Sequence, residues 1–206
     1  LARKGAPGKK VALNLGPIGE LMKPMGVLDF EEAVALYAEQ VVAGKGADLV
    51  LIEPVADLQE ARAAILAVKE NSSLPVWCSL TFSENGRTLS GADPQTAVLV
   101  LQDLGVEAIG INCSLGPDEI RPLIDAYLRE ARVPVFVQPN AGLPVMVDGQ
   151  TVFPETPADF ARKAAAMAEA GVRAVGGCCG TSPTFIRLLS EAVGSIAVTA
   201  PQGLPR

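Results

Sequence analysis

The sequence predicts an α/β fold built on a parallel sheet, and three observations carry that prediction. Short aliphatic runs recur at Val11-Leu15, Asp48-Ile52, Val76-Phe82, Ala108-Asn112, Val135-Gln138 and Val172-Val175. They are spaced by about 27 to 37 residues, and each is followed by a helix signal. The runs are mostly apolar and do not strictly alternate, which suits strands covered on both faces. Six βα units result. With 49% hydrophobic residues the 206-residue chain can bury a sizeable core, and its length suits one domain.

Each unit has its own punctuation. The first two runs lead to Asp29 with Glu32 and Asp57 with Glu60, spacings that predict capping-box helix starts. The next four lead to Asp93-Pro94, Gly116-Pro117, Thr156-Pro157 and Ser182-Pro183, each placing proline in the first helical turn. Gly171 and Gly194 stand where the last two helices stop. No Gly-x-Gly-x-x-Gly follows any run, which weakens a dinucleotide-binding version of the fold. Pattern alone leaves open whether the units close into a barrel or form an open doubly wound sheet.

Composition excludes several classes of function. A net charge of −6 argues against nucleic acid and against an anionic membrane as partners. No apolar run approaches the ~20 residues needed to span a bilayer, and no signal-peptide pattern opens the chain, so a cytosolic location is expected. Histidine is absent, which removes Ser-His-Asp hydrolysis, His-Glu-x-x-His chemistry and any histidine base. Sulfur and carboxylate are left as metal ligands.

The sulfur is concentrated. Cys178 and Cys179 lie side by side in Gly176-Gly177-Cys178-Cys179-Gly180-Thr181, and Cys113 ends the run Ile111-Asn112-Cys113 upstream. All three fall where a strand run stops and a helix signal begins. Three converging thiolates make a zinc site with one position open, able to activate a substrate thiol. The alternatives are cysteines serving as core filler, or a strained disulfide between the two neighbours. Cys78 alternates with Val76, Leu80 and Phe82 and reads as core.

These residues also carry a resemblance. Gly-Gly-Cys-Cys-Gly-Thr, with Ile-Asn-Cys-Ser upstream and Gln138-Pro139-Asn140-Ala141-Gly142-Leu143-Pro144 between them, resembles the homocysteine S-methyltransferase family. Within it the chain is most similar to the homocysteine-binding domain of cobalamin-dependent methionine synthases. The likeness extends through Asn14 to Glu20, Leu51 to Glu53 and Thr81 to Thr88, covering residues 11–195. It implies a (β/α)8 barrel with the motifs at the C-terminal ends of the strands.

Such a barrel needs eight units and typically ~250 residues, and the resemblance makes Val11-Leu15 its third strand. The expectation is therefore an incomplete barrel, either a piece of a longer protein or a truncated homologue, lacking an N-terminal barrel segment that a partner chain would have to replace. Residues 1–10 read as a basic leader or the remnant of an upstream segment, and 196–206 as a linker-like tail.

The resemblance also implies roles. Cys113, Cys178 and Cys179 would hold zinc, which would activate the thiol of homocysteine for attack on a methyl group. Methylcobalamin, on a separate corrinoid-binding domain or protein, would be the donor; the same barrel could instead use betaine, S-methylmethionine or another thiol acceptor, or be a non-catalytic zinc-binding fragment. Glu53 matches the glutamate that holds the substrate amino group, with a water-exposed strand-end glutamate as its plain alternative. Pro54 stands where the family more often has threonine. Asn140 matches an asparagine that approaches the metal when substrate is absent, and is otherwise a turn residue before Ala141-Gly142. Asn112 is expected to orient the Cys113 loop by hydrogen bonding, and the loop from Glu84 to Thr88 reads as a rim element.

Overall fold

The computed structural model describes residues 2–194 and 196. A short helix, α1 (Ala2–Gly5), occupies part of the basic leader. Six βα units follow. They are β1 (Ala12–Leu15) with α2 (Phe30–Ala43), β2 (Leu49–Val55) with α3 (Leu58–Asn71), β3 (Val76–Leu80) with α4 (Pro94–Asp103), and β4 (Ala108–Asn112) with α5 (Pro117–Glu130). After β5 (Val135–Gln138) comes a hairpin, β6 (Val145–Val147) and β7 (Gln150–Val152), then α6 (Pro157–Glu169), and the last unit is β8 (Ala174–Val175) with α7 (Pro183–Val193). The linker-like tail, apart from Ile196, lies outside the described residues.

The six main strands are all parallel, in the order β1-β2-β3-β4-β5-β8. This is the architecture of a partial (β/α)8 barrel. Among the described residues β1 pairs only with β2 and β8 only with β5, so the sheet keeps two free edges.

Register sorts the strand residues onto two faces. Val50, Ile52, Val76, Cys78, Ile109, Ile111, Val135 and Val137 share the outer face, where they form one core with helix residues such as Val34, Ile65, Leu101 and Ile124. The inner face carries Leu51, Trp77 and Phe136, and towards its C-terminal end Glu53, Ser79, Asn112 and Gln138. Trp77 and Phe136 meet with ring centroids 5.4 Å apart although β4 runs between their strands. Gly110 on β4 permits this, since a Cβ there would lie 2.7 Å from the Phe136 ring.

Several boundaries differ from expectation, each for a local reason. Asp48 falls outside β2 because its carboxylate accepts the N–H of Val11 at 2.7 Å. β2 instead runs on through Glu53-Pro54 to Val55, with its register against β3 shifting between Ile52 and Val55. Proline has no N–H to give to the ladder at that point. β8 is cut to Ala174–Val175, ahead of the Gly176-Gly177 pair. The two capping boxes do not form. Asp57 caps α3 by accepting from Gln59 N, but Glu60 accepts from Ile18 N at 2.7 Å and Tyr37 Oη at 2.9 Å instead of reaching back. Asp29 makes no cap bond, and its carboxylate pairs with Lys23 Nζ at 2.8 Å. Proline stands in the first turn of α4, α5, α6 and α7 as expected.

The β6–β7 hairpin belongs to no expected element. Its signal was present in Asp148-Gly149, whose φ angles of 49° and 76° are those of a two-residue hairpin turn. Among the described residues no helix is long and apolar enough to cross a membrane.

Candidate metal centre

Three loops at the C-terminal ends of β4, β5 and β8 build the site. After Asn112 the chain enters the left-handed region at two consecutive residues, Cys113 (φ 62°) and Ser114 (φ 57°). Such conformations cost non-glycine residues on the order of 1–3 kcal/mol each and persist only where neighbours enforce them. Here Cys113 N donates to Gln138 O at 3.0 Å, Leu115 N to Cys113 O at 2.7 Å and Asn140 N to Leu115 O at 2.9 Å. The Ser114 hydroxyl also shares a 2.7 Å hydrogen bond with that of Thr81 at the end of β3.

The paired cysteines are laced to the same β5 loop. Cys178 N donates to Pro139 O at 2.9 Å, Cys179 N to Asn140 Oδ1 at 3.1 Å, and Ala141 N to Cys179 O at 2.9 Å. Thr181 closes the turn by donating its hydroxyl to Cys178 O at 2.7 Å. Gly180, at φ 78°, packs so closely on Phe153 that a Cβ would lie 2.3 Å from the ring. Only glycine fits there.

The result is a sulfur triangle. Cys113 Sγ lies 3.7 Å from Cys179 Sγ, which lies 4.0 Å from Cys178 Sγ, and all three sulfurs fall within 4.8 Å of one another. Tetrahedral zinc with Zn–S bonds of about 2.3 Å places its sulfurs about 3.8 Å apart, so the donor set fits a thiolate-bound metal in both chemistry and spacing. Among the described residues no other group of three or more metal-ligating side chains converges in this way. Cys113 and Cys178 are half-buried and Cys179 is exposed, so the cluster faces outward.

Proton sharing makes the three sulfurs unequal. Hydrogen bonding from Cys178, helped by Ser114 N, Cys179 and Asn140 against the cost of burial, lowers the pKa of Cys113 to about 5. The same Cys113 partnership raises Cys178, and burial with Cys113 raises Cys179. Among the three sulfurs this sharing favours the thiolate at Cys113. Cys78 lies apart, wholly buried on the outer face, where burial pushes its thiol up to about 12.

The other expected site residues lie around this triangle. Asn140 is buried and accepts from Cys179 N, so it supports the cluster directly. Asn112 is buried beneath it, and its Oδ1 accepts from Ser79 Oγ at 2.7 Å, a bond to β3 rather than to the Cys113 loop. Glu53 is half-buried on the inner face, with Oε1 receiving Asn14 Nδ2 at 3.4 Å and Oε2 buried without a partner among the described residues. Burial raises its pKa, the Gln138 amide pulls it back and the nearby Cys113 charge adds to the rise. A cavity of about 320 Å³ borders Cys113, walled by Pro17, Leu21, Met22, Pro54, Thr81 and Ser114. Gln138, Ser79 and the Thr81–Ser114 pair carried no role in the sequence reading. A polar residue at an inward position of an otherwise aliphatic run would have flagged the first two.

Known proteins share this chain's sequence pattern and fold. The family described as homocysteine S-methyltransferase matches residues 1–193. Methionine synthase from Mycobacterium tuberculosis is 35% identical over 202 residues, which are 93% of this chain and 17% of that protein. The chain therefore spans about a sixth of the length of this curated relative. Among solved structures, the apo form of the homocysteine methyltransferase MmuM from Escherichia coli superposes with a TM-score of 0.70 at 25% identity, covering 89% of this chain and 63% of that one. Its metallated form gives the same TM-score at 24% identity, covering 93% and 64%. The chain belongs to the homocysteine S-methyltransferase family.

Proposed function

We propose that this protein transfers a methyl group to the thiol of homocysteine, forming methionine, with a methylated corrinoid on a separate domain or protein as donor. The observation that carries the reading is the sulfur triangle, three cysteines from two strand ends held at 3.7 and 4.0 Å on the edge where such barrels bind substrate. Cys113, Cys178 and Cys179 would hold zinc, and the related E. coli enzyme is known in a metallated form. Bound there, zinc would supply a positive charge that keeps a substrate thiol, of ordinary pKa near ~8.5, ionised at neutral pH.

The chain's own residues do the rest. Asn140 fixes the backbone of Cys179, and the strained Cys113-Ser114 turn aims Cys113 at the pair. Glu53 takes the substrate ammonium, a partner that offsets the burial now raising its pKa. With sulfur and ammonium both held, the methyl donor meets a nucleophile of fixed orientation. The sulfur–carbon bond forms as the methyl–donor bond breaks, and the bonding pair stays with the donor. The thiol proton would pass to solvent on ionisation, before this step, so no protein base is needed at the transfer. A cytosolic site of action, where thiols stay reduced, suits four free cysteines. In the complete barrel, further strands would cover the free edges of β1 and β8.

The test is a zinc determination paired with methionine formation from L-homocysteine and methylcobalamin. One zinc per chain and labelled methionine are expected, and Cys178→Ser should abolish both. Methionine formation that survives Cys178→Ser with no bound metal would overturn the reading.

A further inference from the structure

We infer that Gln138 reads the substrate together with Glu53: the Gln138 amide oxygen and the Glu53 carboxylate form a two-sided acceptor for the ammonium of the thiol amino acid. The inference deepens the proposed function and rests on it. Its starting point is a pair of orphaned atoms. Gln138 Oε1 and Glu53 Oε2 are both buried, and neither has a hydrogen-bond partner among the described residues. A buried acceptor without a donor is costly, so two of them in one layer indicate that a donor arrives from outside.

The fold brings this pair together by design of its interior. Glu53 ends the inner face of β2 and Gln138 that of β5, with β3 and β4 running between them. The Gln138 amide reaches the Glu53 carboxylate, and on the strands between them Ser79 and Asn112 are short and bonded to each other at 2.7 Å. Beneath them the Trp77–Phe136 contact floors the interior. Gly176 leaves room for the glutamine stem, since a Cβ there would lie 3.1 Å from Gln138 Cγ. The backbone carbonyl of Gln138 accepts Cys113 N at 3.0 Å, so the acceptor pair is tied to the sulfur triangle by one residue.

Chemistry then selects the ligand. The Gln138 amide presents its N–H side to Glu53, because the opposite flip would set two acceptor oxygens against each other. That leaves Oε1 free to accept. A hydroxyl could satisfy one of the two oxygens, whereas an ammonium has three N–H donors and a charge to match the carboxylate. In a γ-thiol α-amino acid the ammonium is a short chain away from the sulfur, the spacing a site with both features would read. Gln138 is thus a specificity residue for the amino group, while its side chain takes no part in holding the cysteines.

The experiment compares L-homocysteine with 4-sulfanylbutanoate, the same thiol acid without its amine, by calorimetric titration of the zinc-loaded full chain. The wild-type protein should bind L-homocysteine more tightly, and Gln138→Met should lose roughly tenfold affinity for it while binding 4-sulfanylbutanoate as before. Gln138→Asn withdraws the oxygen by one methylene without changing its chemistry and should show the same selective loss with zinc content unchanged. Equal losses for both ligands would make Gln138 a packing residue, and unchanged homocysteine affinity would remove the contact. Wild-type protein that binds both thiols equally overturns the ammonium site but leaves the thiol reading standing. Protein that binds neither thiol overturns both.

Discussion

The two faces of one sheet show how little residue type decides by itself. On the outer face Val50, Ile52, Ile109, Ile111 and Val137 are fully buried under helices, and Cys78 sits among them as one more small apolar side chain. Burial alone governs that thiol and drives its pKa to about 12. At the end of the inner face, Cys113 lies within reach of two other sulfurs and a backbone N–H, and its pKa falls to about 5. Cys78 lies on β3 and Cys113 directly follows β4, the neighbouring strand of the same sheet. Only their surroundings differ, and a protein can place inert and reactive sulfur side by side by choosing which face and which layer each occupies.

The largest expected effect breaks the comparison at its reactive end. Cys113→Ser should reduce bound zinc from one ion per chain to near none after dialysis, because two sulfurs do not make a closed thiolate set. Cys78→Ser should keep the metal and lower stability by about 1–3 kcal/mol, the cost of burying a hydroxyl without an assured partner. Metal analysis and denaturant melts on the two variants separate the outcomes, and loss of metal from the Cys78 variant would undo the division into faces.

A smaller effect sharpens the same contrast through pH. In metal-free protein the first equivalent of iodoacetamide should modify Cys113, although Cys179 is the more exposed of the two. The sign follows from the depressed pKa: the reactive thiolate is present above about pH 5 and is lost as the pH falls through that value. Cys78 should stay unmodified up to pH 9, since its thiol is both buried and raised. Peptide mapping across pH 4–9 reads both, and a first label on Cys179 would show that exposure outweighs proton sharing.

How much of this was legible follows the same division. The outer face was written plainly: aliphatic runs gave β4 and β5 to the residue, and proline marked the starts of α4 to α7. Those signals are local, set by burial and by the geometry of one helical turn. The inner end was not local. Nothing in Ile-Asn-Cys-Ser announces two left-handed residues, because hydrogen bonds that hold them come from Gln138 and Thr81 on other segments. The bare spacing of the cysteines left core packing open, and resemblance supplied the site that the geometry then assembled. Gln138 escaped because its meaning depends on Glu53 across the barrel, a contact that spacing along the chain does not encode. Glu60 failed as a capping residue for a related reason: Ile18 N and Tyr37 Oη, both remote in sequence, compete for its carboxylate and win.

The smallest effect tests whether that competition also separates two helix starts that look alike in sequence. Asp57 is 4% exposed and accepts Gln59 N at 2.9 Å, so Asp57→Ala leaves that N–H at the start of α3 without its side-chain acceptor. Loss of such a cap costs about 1 kcal/mol. Asp29 precedes α2 in the same pattern, but its carboxylate is turned to Lys23 in an ion pair open to water, with both side chains more than half exposed. Exposed pairs of this kind contribute close to nothing, so Asp29→Ala should leave the urea midpoint unchanged while Asp57→Ala lowers it. Equal destabilisation by the two variants would mean that Asp29 reaches the first turn of α2 in solution, and that both helix starts work as their sequences suggest.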